Sequence, residues 1–277
     1  MPVNRQAWIF RHYALRKIDK LNITEYTQIC MLAVEAAIYQ AIIDKGITPD
    51  VTAGLSLGEY GALIASGAMT MADAFAVVRK RGIYMQEAVP TGGAMTAVLG
   101  LDPQVIEDIC KKTADETNSV VSVANYNCPG QIVISGKTEA VAEAGEKLKE
   151  AGAKRVLPLK VSGPFHSKML VGAGEKLGKV LDTVEIHTPE IPYIANVTAD
   201  YVTDAADVKP LLMKQVSSSV RWEQTIRKML ADGVDTFIEI GPGKTLTGFM
   251  RKIDKNAKAF NIEKLEDIDK VKEALGC

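Results

Sequence analysis

A short segment of this sequence has the spacing of a turn that presents a nucleophilic serine. The residues Gly54-Leu55-Ser56-Leu57-Gly58 follow a β-type run, Val51 to Ala53, and precede a helical pattern from Glu59 to Ala65. This G-x-S-x-G spacing is typical of a nucleophile elbow, where a Cβ on either flanking glycine is expected to collide with neighbouring backbone. Ser56 is the candidate nucleophile, and the Leu57 amide faces any oxyanion formed there. The alternative is a turn that only packs a helix closely on a sheet.

A histidine that can serve as the base lies in the loop Ser162 to Ser167. The Gly-Pro pair of this loop fixes its conformation, so the ring of His166 is held by its surroundings. Most loop histidines are solvated or capping residues. Beside an elbow serine, however, His166 becomes the natural general base, because a hydroxyl is inert at neutral pH until a base takes its proton. The other histidines, His12 and His187, lie in a basic amino-terminal segment and in a predicted surface loop.

An arginine lies on the apolar face of a predicted helix that runs from Thr70 to about Ala88. The residues that follow the 3.6-residue period include Ala74, Val77, Val78, Arg81 and Met85. A cation at a core-facing position needs an anion. Arg81 is therefore predicted to bind an anionic group.

The surrounding elements alternate between helix and strand. A core helix from Thr24 to Lys45, capped by Asn22, precedes the elbow, and α/β alternation resumes after His166. Between them, Ala94 to Leu159 has the order βαββαβ of a ferredoxin-like unit. We therefore predict an α/β protein with a parallel-sheet, α/β-hydrolase-like domain formed by residues 1–92 and 161–277. A small ferredoxin-like domain, residues 93–160, is predicted to be inserted into it.

The composition excludes several classes of partner. The chain has 277 residues, 47% of them hydrophobic and 24% charged, and its formal charge of -1 gives no overall attraction to nucleic acid or anionic membrane. Four scattered cysteines argue against a zinc site and a disulfide framework, and fit a reduced cytoplasm. No segment approaches the roughly 20 apolar residues of a membrane span. We expect a cytoplasmic protein without a metal, nucleic-acid or membrane partner.

Six motifs together resemble the malonyl-CoA:acyl carrier protein transacylases over about residues 22–265. The set is also similar to the acyltransferase domains of polyketide synthases, in which the Gly-Pro-Phe-His form goes with malonyl preference. The matching segments are Gly54–Tyr60, Arg81–Gln86, Asn125–Gly130, Gly163–Ser167, Gln215 with Val220 and Trp222, and Gly241–Leu246.

The resemblance implies a role for each matching residue. Ser56 attacks the malonyl thioester with His166 as base, and the Leu57 amide helps to hold the oxyanion. Gln215 matches the residue whose backbone carbonyl orients the histidine. Arg81 matches the arginine that binds the malonyl carboxylate, which we expect at the far end of the cleft from the serine.

The resemblance also implies the substrates. These are malonyl-CoA and the phosphopantetheine arm of an acyl carrier protein, with no permanently bound cofactor, and we expect a monomer. The asparagines of the polar turn, Asn125 and Asn127, can donate hydrogen bonds to a substrate if the inserted unit roofs the serine, although most such turns are structural. The resemblance implies a role in fatty acid synthesis, whose carrier proteins are acidic. The candidate docking charges are Lys154, Arg155, Lys160 and Lys168. A generic solvated lysine face explains these charges equally well.

The sequence departs from the resemblance in two places. Leu55 replaces the usual histidine before the serine, and residues 1–21 lack the strand and Phe-Pro-Gly-Gln-Gly motif that supply a second oxyanion donor. Only Ala7–Phe10 can mimic that strand. Loss of one donor corresponds to about 10²- to 10³-fold in rate. Two alternatives therefore stay open, a serine esterase or thioesterase, and a truncated, catalytically impaired homologue that acts only as a binding module.

Overall fold

The computed structural model describes residues 19–161 and 163–276. The predicted strand Ala7–Phe10, His12 and Cys277 lie outside this part of the chain. The helices are α1 Thr24–Asp44, α2 Gly58–Ala65, α3 Met71–Ala88, α4 Pro103–Thr117, α5 Thr138–Glu150, α6 Val171–Leu181, α7 Ala205–Gln215, α8 Trp222–Ala231, α9 Thr245–Ile253 and α10 Leu265–Leu275. The strands are β1 Thr52–Ala53, β2 Gly93–Leu99, β3 Val121–Cys128, β4 Gln131–Lys137, β5 Arg155–Pro158, β6 Tyr193–Ile194, β7 Tyr201–Val202, β8 Thr236–Ile240 and β9 Lys258–Ile262.

Short, mostly parallel strands organise the larger part of the structure. β1 is parallel to β6, β6 is antiparallel to β7, and β8 is parallel to β9. The elbow follows β1, so its position depends on the pairing of β1 with β6. The main hydrophobic core beside it is formed by helices α1, α2, α3, α6 and α7, through residues that include Leu32, Leu63, Val77, Val78, Leu177 and Leu212.

The segment between these parts forms a separate four-stranded antiparallel sheet. Its strand order is β3-β4-β2-β5, which places β5 at an edge. Helices α4 and α5 cover one face through a core that includes Val98, Ile106, Ile134 and Leu148. The other face presents Met95, Ala97, Ala124 and Val133, which pack against Phe165. This second face therefore lies beside the loop that carries His166.

The small sheet is joined to the larger part through backbone hydrogen bonds at β3. The Tyr126 amide donates to the Val220 carbonyl at 2.9 Å, and the Val220 amide donates to the Ala124 carbonyl at 2.8 Å. On the β2 side, a Cβ on Gly93 would lie only 2.3 Å from Pro164 Cδ. Two independent contacts thus hold the sheet against the segments that bear the candidate site.

Helix α1 differs from the sequence-based expectation in two respects. Its N-cap is Ile23 without a side-chain hydrogen bond, because Asn22 ends a 3₁₀ turn, Asp19–Asn22. Its 21 residues are also long and apolar enough to cross a membrane by length and composition, contrary to the expectation that no segment approaches such a span. One face of α1 nevertheless contributes Leu32, fully buried, to the main core.

Candidate active site

Ser56 lies on the turn between β1 and α2, in a left-handed backbone conformation with φ of 54°. A non-glycine residue at positive φ is uncommon and marks a turn held by its surroundings. A Cβ on Gly54 would lie 2.0 Å from the backbone carbon and oxygen of Gly58, so position 54 requires glycine. The same prediction for Gly58 is wrong, because a Cβ there meets nothing within 4 Å.

Asn196 fixes this turn, and sequence reasoning missed it. Its Oδ1 accepts a hydrogen bond from the Ser56 amide at 2.6 Å, and its Nδ2 donates to the Gly54 carbonyl at 2.7 Å. The strand pattern could have indicated Asn196, because this residue follows β6 as Ser56 follows β1. β1 and β6 are parallel with Ala53 opposite Ile194, so residues just past their carboxyl ends meet at one sheet edge.

His166 lies against the serine. Its Nε2 is 2.8 Å from Ser56 Oγ, and its Nδ1 is 2.8 Å from the Gln215 carbonyl oxygen. Because a carbonyl oxygen only accepts, Nδ1 carries the proton and Nε2 is free to accept from the Ser56 hydroxyl. Burial, followed by the charge of Arg81, lowers the pKa of His166 to about 4. The imidazole is therefore neutral at pH 7, as a general base must be.

Arg81 lies at the serine itself. The expectation that it occupies the far end of the cleft is wrong, since one terminal guanidinium nitrogen donates to Ser56 Oγ at 3.1 Å and to Gln215 Oε1 at 2.9 Å. The other terminal nitrogen donates to Gln28 Oε1 at 2.6 Å. The side chain is 1% exposed, and its Nε has no hydrogen-bond partner within the described residues.

Within 19–161 and 163–276 this buried guanidinium makes no ion pair within 4 Å. Its partners there are neutral oxygens of Ser56, Gln28 and Gln215. A buried cation without an anionic contact is costly, so the site favours a ligand that brings a negative charge. Gln28, on the α1 face toward α3, was not predicted, because one glutamine in an amphipathic helix gives no signal.

Glu59 is a second residue that the sequence did not single out. It lies in the first turn of α2, fully buried, and burial raises its pKa to about 7 against the opposing effects of Gln215, Asn196 and Arg81. Its Oε2 accepts from Gln215 Nε2 at 2.7 Å and from the Asn196 amide at 3.2 Å. Glu59 thus contacts the partners of Ser56 and His166 rather than either residue directly.

The remaining predicted site residues lie around this centre. Leu57 is the N-cap of α2, and its amide forms no hydrogen bond within the described segments. Asn125 and Asn127 are buried on β3, and Asn125 is bridged to Val220; neither side chain hydrogen-bonds to Ser56, His166 or Arg81. His187 is exposed; its ring lies 3.8 Å from Glu185, and its backbone amide donates to the Ala68 carbonyl at 2.9 Å.

No cluster of three metal-ligating side chains occurs in the described part of the chain. Cys30, Cys110 and Cys128 are buried free thiols.

Comparison with known proteins identifies the family of this chain. The chain matches the acyl transferase domain family over residues 11–268. It is 48% identical over 252 residues to the malonyl CoA-acyl carrier protein transacylase of Bacillus subtilis, covering 91% of this chain and 79% of that protein.

Solved structures give the same result. The fold is similar to that of an acyl carrier protein S-malonyltransferase from Vibrio cholerae, with a TM-score of 0.90, 38% identity, and coverage of 96% of this chain and 92% of that chain. It is also similar to a malonyl-transacylase solved in complex with its type II PKS acyl-carrier protein, with a TM-score of 0.89, 39% identity, and coverage of 92% and 83%. The chain therefore belongs to the malonyl CoA-acyl carrier protein transacylase family of acyl transferases.

Proposed function

We propose that this protein transfers the malonyl group from malonyl-CoA to the phosphopantetheine thiol of an acyl carrier protein, for fatty acid synthesis. The observation that supports this most is the combination of a serine–histidine pair, 2.8 Å apart, with a buried guanidinium 3.1 Å from the same serine oxygen. The pair supplies a nucleophile and its base. The guanidinium lacks an anionic partner among the described residues and would bind the free carboxylate of a malonyl group.

In the first half-reaction, Ser56 Oγ attacks the thioester carbonyl carbon while its proton moves to His166 Nε2. The oxyanion is placed at the unpartnered Leu57 amide at the start of α2. Collapse of this intermediate breaks the C–S bond, and coenzyme A leaves as a thiol with the proton from His166. The product is a malonyl ester of Ser56.

In the second half-reaction, the carrier protein's thiol gives its proton to His166, and its sulfur attacks the ester. The C–O bond breaks, and Ser56 recovers the proton. The Gln215 carbonyl, 2.8 Å from Nδ1, holds the imidazole in one tautomer throughout. Among residues 19–161 and 163–276, this orienting contact is made by a carbonyl and not by a carboxylate.

We also propose the domain assignment, with residues 1–92 and 161–277 forming an α/β-hydrolase-like domain and residues 93–160 an inserted ferredoxin-like domain. The parallel pairing of β1 with β6, which places the elbow, supports the first part. The antiparallel order β3-β4-β2-β5, in a βαββαβ sequence, supports the second. Asn125 and Asn127 would then line the roof of the cleft.

The carrier protein is proposed to dock beside β5. Leu157 pairs with Ala97 and so lies on the face of the small sheet that packs against Phe165, next to His166. Leu157 is 45% exposed there. The nearby cations are exposed and make no ion pair within the described residues; they are Lys154, Arg155, Lys160 and Lys168. This basic, partly apolar surface is complementary to an acidic carrier. We propose a cytoplasmic monomer without a permanent cofactor.

The two alternatives make different products. An esterase or thioesterase passes the malonyl group from Ser56 to water, and an impaired binding module forms no ester at all. Hydrolases of this elbow type orient the histidine with an acid, whereas His166 is oriented by a backbone carbonyl. The test is to incubate the protein with malonyl-CoA and a phosphopantetheinylated carrier protein, and to measure malonyl-carrier and free malonate together. Transfer to the thiol in excess of free malonate is expected. Predominant release of free malonate would contradict the proposal.

A further inference from the structure

Glu59 connects the two halves of the site without touching the reacting atoms. One carboxyl oxygen, Oε2, accepts from Gln215 Nε2 at 2.7 Å and from the Asn196 amide at 3.2 Å. Its other oxygen has no hydrogen-bond partner within the described residues. A fully buried carboxyl that uses a single oxygen for two donors is held for those donors.

Each of the two donors fixes a reacting residue. Gln215 positions His166, because its backbone carbonyl accepts from Nδ1 at 2.8 Å, and its Nε2 also donates to the Ser56 carbonyl at 2.8 Å. Asn196 positions the serine turn through its contacts with the Ser56 amide and the Gly54 carbonyl. The Oε2 atom of Glu59 is the point at which these two sets of contacts meet.

We propose that Glu59 is a positioning residue, whose Oε2 anchors Gln215 and Asn196 together and so sets the distance between Ser56 Oγ and His166 Nε2. The proposal rests on the proposed function only for the identity of the substrate. In this role Glu59 is a hydrogen-bond acceptor, and the length of its side chain sets the position of the accepting oxygen. The alternative is a charge that balances Arg81, since the two groups interact electrostatically although they form no ion pair within 4 Å among the described residues.

Two conservative variants separate these roles. Glu59→Gln keeps the length of the side chain and an acceptor oxygen but removes the charge. Glu59→Asp keeps the charge but withdraws the carboxyl by about 1.5 Å, which breaks contacts that are already at hydrogen-bond length. If Glu59 acts as a hydrogen-bond acceptor whose side-chain length matters, the Gln variant should be the more active. If Glu59 acts as a charge that balances Arg81, the Asp variant should be the more active.

The readout is the rate at which Ser56 is modified, measured with two reagents. A fluorophosphonate reports the reactivity of the Ser56–His166 pair alone, so this measurement stands even if malonyl-CoA is not the substrate. Malonyl-CoA, followed by rapid quench and intact mass, adds the acylation rate and its dependence on substrate concentration. Glu35→Asp and Glu35→Gln are the control variants, because Glu35 is a half-buried glutamate of α1 that makes no hydrogen bond within the described residues.

We expect Glu59→Gln to react within about threefold of the unchanged protein with both reagents, and Glu59→Asp to react about 10- to 100-fold more slowly. For Glu59→Gln the concentration of malonyl-CoA that gives half the maximal rate should also stay within about twofold, because this variant keeps the acceptor that anchors Gln215, and Arg81 donates to Gln215 Oε1. A Gln variant that loses more than about tenfold, or an Asp variant as reactive as the Gln variant, would overturn the proposal. The Gln variant alone decides the matter if the Asp variant does not fold.

Discussion

The residues around Ser56 combine a neutral base, His166, with a buried cation, Arg81. A nucleophilic serine needs a neutral base, and His166 is neutral because it is buried beside a cation. The same cation, Arg81, is itself buried without an anionic contact among the described residues. Both conditions favour a substrate that is negatively charged at one end and electrophilic at the other.

Replacement of Arg81 by alanine tests its role in substrate selection. Loss of a buried charge partner corresponds to about 10²- to 10³-fold in malonyl transfer, or about 3–4 kcal/mol. Acetyl transfer should fall much less, because an acetyl group has no carboxylate to lose. Rates with malonyl-CoA and acetyl-CoA are compared in the same preparation. Arg79→Ala is the control, since Arg79 lies on the same helix but contacts Glu25 and the ring of Tyr26. Equal falls with both substrates would remove the proposed role.

The pKa of His166 gives a second prediction for this scale. A folded-state value of about 4 means that the imidazole is able to accept the Ser56 proton above that pH and loses this ability as the pH falls through it. We expect the Ser56 acylation rate to stay level from about pH 8 down to about pH 5, and to decline only near pH 4. Stopped-flow acylation across this range measures it. An acid limb centred at about 6.5, the value of an ordinary histidine, would contradict the described burial.

At the scale of elements, the elbow depends on one glycine and tolerates change at the other. A Cβ on Gly54 would lie 2.0 Å from the Gly58 backbone, whereas a Cβ on Gly58 meets nothing within 4 Å. We expect Gly54→Ala to lower the free energy of unfolding by about 3 kcal/mol or more and to abolish acylation, because the turn must shift. Gly58→Ala should leave both close to their original values. Denaturant unfolding and acylation assays compare the pair, and similar losses in both variants would show that the turn is not built as described.

The edge strand β5 provides a prediction about the partner. Charge reversal by Arg155→Glu with Lys160→Glu should raise the KM for the carrier protein about tenfold, while the half-reaction with malonyl-CoA stays unchanged. The matched control is Lys111→Glu with Lys112→Glu on α4, which covers the opposite face of the small sheet. Steady-state transfer at varied carrier concentration measures the effect. If both double variants behave alike, the cations of β5 form only a solvated face.

Many of the helices and strands were predictable from the sequence. The βαββαβ order of elements in the small unit and the helices flanking the elbow follow from hydrophobic periodicity. The predicted start of α3 near Thr70 is confirmed, since Thr70 is its N-cap and accepts from the Asp73 amide. The cap of α1 was wrong, because Asn22 belongs to the preceding 3₁₀ turn. β7, β9 and α10 were not predicted. β7 has only two residues, and β9 forms through its pairing with β8, which no local pattern reveals.

The site was predictable only in part, because local patterns in the sequence reveal some of its residues and not others. Ser56, His166, Arg81 and Gln215 lie together; the first three stand in local patterns with a chemical reason, whereas Gln215 was indicated only by the family resemblance. Asn196, Glu59 and Gln28 were missed, because their roles arise from contacts between distant parts of the chain. Glu59 even follows the elbow directly, yet a glutamate in a first helical turn is explained by the helix dipole alone.

At the scale of the whole molecule, the site is formed by residues that are far apart in the chain. The larger part supplies Ser56, Arg81 and Gln215, and the loop that leaves the small sheet supplies His166. The bridge between Asn125 and Val220 holds the small sheet against this part. Structures from Vibrio cholerae and Bartonella henselae match this chain at a TM-score of 0.90, so the overall fold is shared with these relatives.

The most direct test of the central claim is the mass of the intact protein after exposure to malonyl-CoA, followed by addition of a carrier protein. We expect one malonyl adduct on a peptide containing Ser56, and its loss from the protein when the phosphopantetheinylated carrier is added, with the malonyl group recovered on the carrier. Ser56→Ala should acquire no adduct under the same conditions. The account would be contradicted if the Ser56→Ala protein acquired the adduct in equal yield. It would also be contradicted if the protein with Ser56 in place acquired none.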